Sequence, residues 1–213
     1  MGRSNRVVMI GIFFVMWFCG VAHAEDNRVR AKIGIQVKSG EQQSSARSRE
    51  MLKAGDSLRI YVHSEKDSYL YVVHTDGKVV NLLNMTAQKM QSSTLVLPSL
   101  QAYYKVDGGS PMERFSVICS QQELPELSKM ANSKISFEQW RQIENDLVQR
   151  GKLLSAPGEK APFSIAGDEA PFAIGGNVRG VLDEKGTDPF VRDLQIFSGN
   201  GVLVKQYEFQ VKK

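Results

Sequence analysis

Few residues of this sequence could carry covalent or acid–base chemistry. The chain has two cysteines, Cys19 and Cys119, and three histidines, His23, His63 and His74. Gly-x-Ser-x-Gly, His-Glu-x-x-His and phosphate-cradling glycine-rich motifs are all absent. A nucleophile or a catalytic histidine needs an organised base or carboxylate beside it. Any catalytic site therefore has to combine one of these residues with a carboxylate from elsewhere in the chain.

Cys119 ends the alternating run Phe115-x-Val117-x-Cys119. A period of two places these three side chains on one apolar face of a strand. A thiol buried among apolar groups stays protonated and inert. We expect a core cysteine; the alternative is a catalytic one with a nearby base.

His63 and His74 end two β-patterned runs that flank the polar segment 64–68. If that segment closes an antiparallel hairpin, His63 faces Tyr69 and His74 faces Leu58. The histidines then lie at opposite ends of the hairpin, about 17 Å apart at roughly 3.3 Å per residue. The pattern therefore predicts no shared metal site and no cofactor.

Three carboxylates, Asp67, Asp76 and Glu113, could pair with a histidine. Asp67 and Asp76 are better explained as turn residues whose side chains accept local backbone N–H groups. A periplasmic hydrolase that uses Cys119 or a His/carboxylate pair is the alternative to a non-enzymatic protein, and we expect no catalytic residue.

Tyrosines are concentrated in the predicted strands, and the adjacent Tyr103 and Tyr104 point to opposite faces. An exposed tyrosine gives a large contact area at little entropic cost, which suits recognition of a protein or a glycan. We therefore name Tyr103 and Tyr104 as candidate partner-binding residues, with packing in the core as the alternative.

The net charge of +4 over 213 residues is unevenly placed. Residues 1–24 contain two of the 27 basic residues and no acid, so the remainder carries a net charge of +2. A basic start, the apolar run 7–18 and the small-x-small sequence at 22–24 are typical of a cleaved signal peptide. The mature chain lacks the concentrated positive charge of a nucleic-acid-binding protein.

Cleavage after Ala24 removes Cys19 and His23 and leaves a single thiol, so no intramolecular disulfide is expected. The apolar run is shorter than the roughly 20 residues that span a membrane. We expect the mature protein in the bacterial periplasm, or secreted as the alternative, with no stable membrane insertion.

Alternating patterns predict a series of short strands, and Asp76-Gly77 is typical of a hairpin turn. The predicted strands and hairpins cover 31–38, 58–63, 69–74, 79–83, 95–97, 102–106, 115–119, 178–182 and the C-terminal hairpin 191–211. Between them, 137–150 has an apolar stripe of period 3.6. Ser136 and Gln139 form a capping box at its start and Gly151 is placed as its C-terminal cap.

Residues 155–178 contain a short repeat in which Ala-Pro-Phe recurs nine positions later. Two copies are too few to build a solenoid. We interpret the segment as a Gly/Pro-rich connector whose Phe163 and Phe172 anchor it to the domain. The alternative is a loop that presents these two rings to a partner.

The predicted elements indicate a mainly β (β-rich α+β) fold, most simply a two-sheet antiparallel sandwich with one amphipathic helix at 137–150. Residues 25–213 are expected to form a single domain.

The segment 52–120 carries a series of short motifs in a fixed order. They are Gly55-Asp56, Asp67-Ser68-Tyr69-Leu70-Tyr71-Val72, Asp76-Gly77, Leu82-Leu83-Asn84, Leu97-Pro98, Tyr104-Lys105-Val106 and Phe115-Ser116-Val117-Ile118-Cys119-Ser120. In this order they resemble the bacterial domain-of-unknown-function family 4384, although the proline which that family has before Asn84 is missing. The resemblance implies an envelope β-domain and supplies no catalytic residues.

Together these observations predict an exported, non-enzymatic envelope protein that acts as a protein-binding or assembly module. The expected partner is another envelope protein, with a cell-wall polymer as the alternative and no nucleic acid.

Overall fold

The computed structural model describes residues 27–84, 91–153, 190 and 194–212. The predicted signal peptide, the strand 178–182 and the connector 155–178 with Phe163 and Phe172 lie outside the described residues. Their assignments stay predictions.

The described chain is mainly β, as predicted. Its strands are β1 (Arg28–Ser39), β2 (Gln42–Ser45), β3 (Met51–Lys53), β4 (Ser57–Thr75), β5 (Val80–Leu82), β6 (Gln91–Leu97), β7 (Tyr104–Lys105), β8 (Met112–Ser120), β9 (Gln195–Asn200) and β10 (Val202–Lys212). The helices are α1 (Pro125–Ser128), a 3₁₀ turn (Lys129–Ala131) and α2 (Phe137–Leu153).

The predicted hairpin 58–63/69–74 is wrong, because both runs belong to the single 19-residue strand β4. The polar segment 64–68 is an irregularity within β4 and not a loop between two strands. It shifts the register with β6 between His63 and Ser68, while the hydroxyls of Ser64 and Ser68 lie 2.9 Å apart. The irregularity divides β4 into a first arm, 57–63, and a second arm, 69–75.

The ten described strands form one hydrogen-bonded sheet rather than the two separate sheets expected, and the sheet curls. Its main order is β2-β1-β4-β8-β10-β3. β1 pairs with the first arm of β4 and β8 pairs with the second arm. The sheet is mixed and not purely antiparallel, because β3 and β10 run parallel.

The curled sheet encloses one core, which we call the inner core. Alternate side chains of both β4 arms contribute to it, among them Ile60 and Val62 from the first arm and Leu70 and Val72 from the second. Because successive side chains of a strand point to opposite faces, this pattern fixes which residues face inward. In β1, β8 and β10 the inward residues are Val29, Ala31, Ile33, Ile35, Val37, Phe115, Val117, Cys119, Leu203, Tyr207 and Phe209.

A second core, the outer core, lies between the helices and the opposite face of the second arm. Trp140 and Leu147 of α2 pack there with Tyr71 and Ile118 of the sheet, and all four are at most 1% exposed. The apolar stripe of α2 therefore packs onto the sheet.

The start of α2 follows the predicted capping box. Ser136 Oγ accepts the N–H of Gln139, and Gln139 Oε1 accepts the N–H of Ser136. The assignment of Gly151 as a C-terminal cap is wrong, because the helix continues through it. A Cβ at Gly151 would lie 2.8 Å from the carbonyl oxygen of Val202, so glycine serves the close approach of α2 to β10.

The predicted C-terminal hairpin is replaced by two strands that pair with different partners. β9 pairs with β1, whereas β10 pairs with β8 and β3. A Cβ at Gly199 would lie 2.3 Å from the carbonyl oxygen of Val202, and Gly201 has a φ of +72°. These glycines permit the abrupt change of direction between β9 and β10.

No helix in the part of the chain that the structure describes is long and apolar enough to cross a membrane.

Candidate functional site: a pocket between the arms of β4

A pocket of about 160 Å³ opens where the two arms of β4 meet β7 and β8. Leu58 of the first arm and His74 of the second both line it. The hairpin pairing predicted for these two residues is absent, but the curl of the sheet brings both to one cavity. The remaining lining residues are Leu83, Tyr104, Lys105, Val106, Asp107, Glu113 and Phe115.

His74 and Glu113 form the polar centre of the pocket. His74 lies opposite Phe115 in the β4–β8 pairing, and the two rings are 4.9 Å apart between centroids. The His74 Nε2 contacts the Glu113 Oε2, and the two side chains are only 23% and 12% exposed. The short contact joins a ring nitrogen that can donate and a carboxylate oxygen that can accept a hydrogen bond.

Two turns at this end of the sheet are held by short local hydrogen bonds. Asp76 Oδ1 accepts the N–H groups of Lys78 and Val79, as predicted for a turn aspartate. The bond from Val79 is the main reason that the pKa of Asp76 is lowered from its usual value. Asp107, which lines the pocket, accepts the N–H of Gly109 in the same manner. These contacts order the backbone around the opening.

Tyr104, a predicted partner-binding residue, lines the pocket. Its ring packs partly against the inner core, and burial raises the pKa of its hydroxyl. Tyr103 lies on the opposite face of the sheet, which confirms that the two rings point in opposite directions. Its hydroxyl donates to Gln36 Oε1, and its ring lies under the guanidinium of Arg59. The structure therefore separates the two tyrosines, and neither is fully exposed.

Cys119 is fully buried in the inner core, and burial raises the pKa of its thiol to about 12. It is absent from the pocket lining, so it is in no position to attack a ligand there. This confirms the prediction of a core cysteine.

His63 is also absent from the pocket. Its Nδ1 lies 3.0 Å from the hydroxyl of Thr94 on β6, near the irregularity of β4. The hairpin pairing from which its distance to His74 was predicted is wrong, because both histidines lie on β4. Within the described ranges, no group of three or more His, Cys, Asp and Glu residues is arranged to hold a metal ion.

The pocket lining combines apolar walls with a few convergent polar groups. Its described lining contains no Ser, Thr or Cys, and its polar side chains are His74, Tyr104, Lys105, Asp107 and Glu113. Its volume is below the roughly 300–1,000 Å³ of typical pockets for drug-sized molecules. It has room for one side chain or a similarly small group.

The sequence named His74, Glu113 and Tyr104 separately but did not place them together. Lys105 and Asp107 were missed as site residues. The motif Tyr104-Lys105-Val106, which precedes a Gly-Gly turn, was the available signal, because it places alternating side chains beside a turn.

No family model, curated protein or solved structure matches this chain.

Proposed function

We propose that this protein is an exported binding module of the bacterial cell envelope. It holds a partner protein through the pocket between the arms of β4. The observation that carries the proposal is the His74–Glu113 pair, set among apolar walls at an opening large enough for one side chain. Compartment and partner class rest on the signal-like residues 1–24 and on the resemblance of the segment 52–120 to an envelope family.

The lining favours an inserted side chain with an apolar stem and a hydrogen-bonding head. Leu58, Leu83 and Phe115 would contact the stem, since they form the apolar walls. The His74–Glu113 pair would meet the head, because both groups remain partly accessible. Burial of one such side chain contributes about 1.5–3 kcal/mol, so a stable complex requires further contacts around the opening.

Site-specific photo-crosslinking in intact cells of the source bacterium tests this proposal. A photoreactive residue replaces Lys105 or Asp107, which line the pocket and are exposed. We expect one discrete adduct with another envelope protein, and His74→Ala should reduce its yield. The control position is the exposed Glu138 of α2, far from the pocket in the sequence and on another element. The proposal is contradicted if no adduct forms at Lys105 or Asp107. It is also contradicted if the control position Glu138 gives the same adduct in equal yield.

A second candidate function is hydrolysis, which the contact between His74 and Glu113 favours. Glu113 orients the imidazole, so that Nδ1 could take a proton from an attacking water. This candidate predicts that the protein cleaves ester, amide or glycoside model substrates. Cleavage should be lost in His74→Ala and kept in Cys119→Ala. A complete lack of turnover by a wild-type protein that still forms the adduct would eliminate it.

A further inference from the structure

Arg59 is a buried cation on the outer face of the first arm of β4. The residue is only 7% exposed. Buried charges in proteins are normally paired, because removing an ion from water costs several kcal/mol. None of the ion pairs between described residues includes Arg59.

The guanidinium of Arg59 is held in place by neutral groups. Its Nε donates to the carbonyl oxygen of Ala102 and its Nη1 donates to the Tyr61 hydroxyl, both at 3.1 Å. Its central carbon lies 3.8 Å from the centroid of the Tyr103 ring. These contacts fix the plane of the guanidinium but supply no negative charge.

One edge of this guanidinium is still available. An arginine has five N–H donors, and the two bonds above use two of them. The Nη2 atom makes neither of the two bonds. Its two N–H groups therefore have no hydrogen-bond acceptor among the described residues.

A second cation lies beside the same ring. The Lys38 Nζ is 5.7 Å from the centroid of Tyr103, and Lys38 also takes part in no ion pair between described residues. The Tyr103 hydroxyl is fixed by its bond to Gln36, whose Nε2 donates to Gln43 of β2. Two cations, the buried Arg59 and the partly buried Lys38, thus lie beside one oriented aromatic ring on the outer side of β1 and β4.

We propose that Arg59, Lys38 and Tyr103 form a binding site for a single oxyanion, a carboxylate or phosphate group of a ligand. The free edge of the Arg59 guanidinium forms the charge-assisted hydrogen bonds, and both groups suit its geometry. Lys38 adds a second positive charge, and Tyr103 holds the guanidinium in place. The site is separate from the His74–Glu113 pocket, because it lies on the opposite face of the sheet.

Titration of the protein with sodium acetate and, separately, sodium phosphate at constant ionic strength tests the site. NMR signals of the Arg59 side chain and the Tyr103 ring report binding. We expect both signals to shift in a saturable manner with at least one anion. The anion that binds with the higher affinity identifies the oxyanion as carboxylate or phosphate. If neither anion produces saturable shifts of these signals, the proposal is wrong.

Variants assign the effect to the site. Lys38→Met should weaken the affinity about fivefold, the effect of one unit charge a few ångströms away in water. Lys66→Met is the matched control, because Lys66 is exposed on the irregularity of β4, and it should leave the affinity unchanged. Arg59→Lys keeps the positive charge but loses the planar guanidinium with its paired N–H donors. This variant should abolish the saturable shifts of Tyr103. If that variant does not fold, the contrast between Lys38→Met and Lys66→Met decides, and equal affinities refute the site.

Discussion

His63 and His74 are the same residue type in different surroundings. His74 has a carboxylate partner, whereas the His63 ring contacts the hydroxyl of Thr94 and lies near Lys32. Burial, followed by the positive charge of Lys32, lowers the pKa of His63 below its usual value. Protonation of His63 is therefore less favourable in the folded chain than in the unfolded chain.

This difference predicts a loss of stability in acid. Below the unfolded pKa of about 6.5, the unfolded chain binds a proton at residue 63 more readily than the folded chain. The free energy of unfolding therefore decreases as the pH is lowered. The loss is complete once the pH has passed below the folded pKa. Urea denaturation at a series of pH values should show this decline for the wild type.

His63→Gln is the control for that measurement, because glutamine keeps a polar group near Thr94 and does not titrate. The difference in stability between wild type and variant should change below pH 6.5 and be constant above it. A constant difference throughout the range would contradict the assignment to His63.

For single residues, the sequence predicts those properties that depend on nearby positions in the chain. The core position of Cys119 follows from alternation, and the hydrogen bonds of Asp76 follow from the geometry of a turn. The contact between His74 and Glu113 was not predictable, because it joins residues 39 positions apart and depends on the register of β4 with β8.

Among the elements, β4 shows how a polar segment misleads sequence interpretation. Ser64–Ser68 has the composition of a loop, yet β1 continues to pair with β4 as far as Ser64, and β6 pairs on both sides of the irregularity. Strand partners on both sides of the segment hold its two ends in the sheet, up to Ser64 and again from Ser68. Local composition carries no information about those partners.

The docking of α2 against β10 gives a prediction about Gly151. In a helix interior, alanine is normally about 1 kcal/mol more favourable than glycine. Here the added Cβ would meet the Val202 carbonyl oxygen at 2.8 Å, and backbone on both sides limits relaxation. Overpacking costs about 1–3 kcal/mol, so Gly151→Ala should lower the free energy of unfolding by about 1 kcal/mol.

Urea denaturation monitored by the fluorescence of the buried Trp140 measures this effect. The control is Gln149→Ala, which changes an exposed residue of the same helical turn and should alter stability by less than about 0.5 kcal/mol. A Gly151→Ala variant as stable as the wild type would show that α2 can move away from β10 at no cost.

For the whole molecule, β4 supplies both cores. Leu70 and Val72 of its second arm face the inner core, while Tyr71 and Val73 between them face the outer core. The run 69–73 is apolar at nearly every position, which is typical of a strand covered on both faces. The sequence could not show that one curled sheet replaces two, because that depends on which strand each of β1, β8, β9 and β10 pairs with.

Because the two cores share the same strand, we expect the described chain to unfold in one cooperative transition. Leu70→Ala removes a side chain from the inner core and Leu127→Ala removes one from the outer core, and each should cost about 2–5 kcal/mol. In the protein without residues 1–24, Trp140 fluorescence follows the outer core, and hydrogen exchange at Ile33 and Ile35 of β1 follows the inner core. Each variant should lower the stability reported by both probes by the same amount, since neither core persists when β4 is released.

If Leu127→Ala changed only the Trp140 signal, the helices would be a separately unfolding layer on an independently stable sheet. The pocket and the Arg59 surface would then belong to that sheet alone.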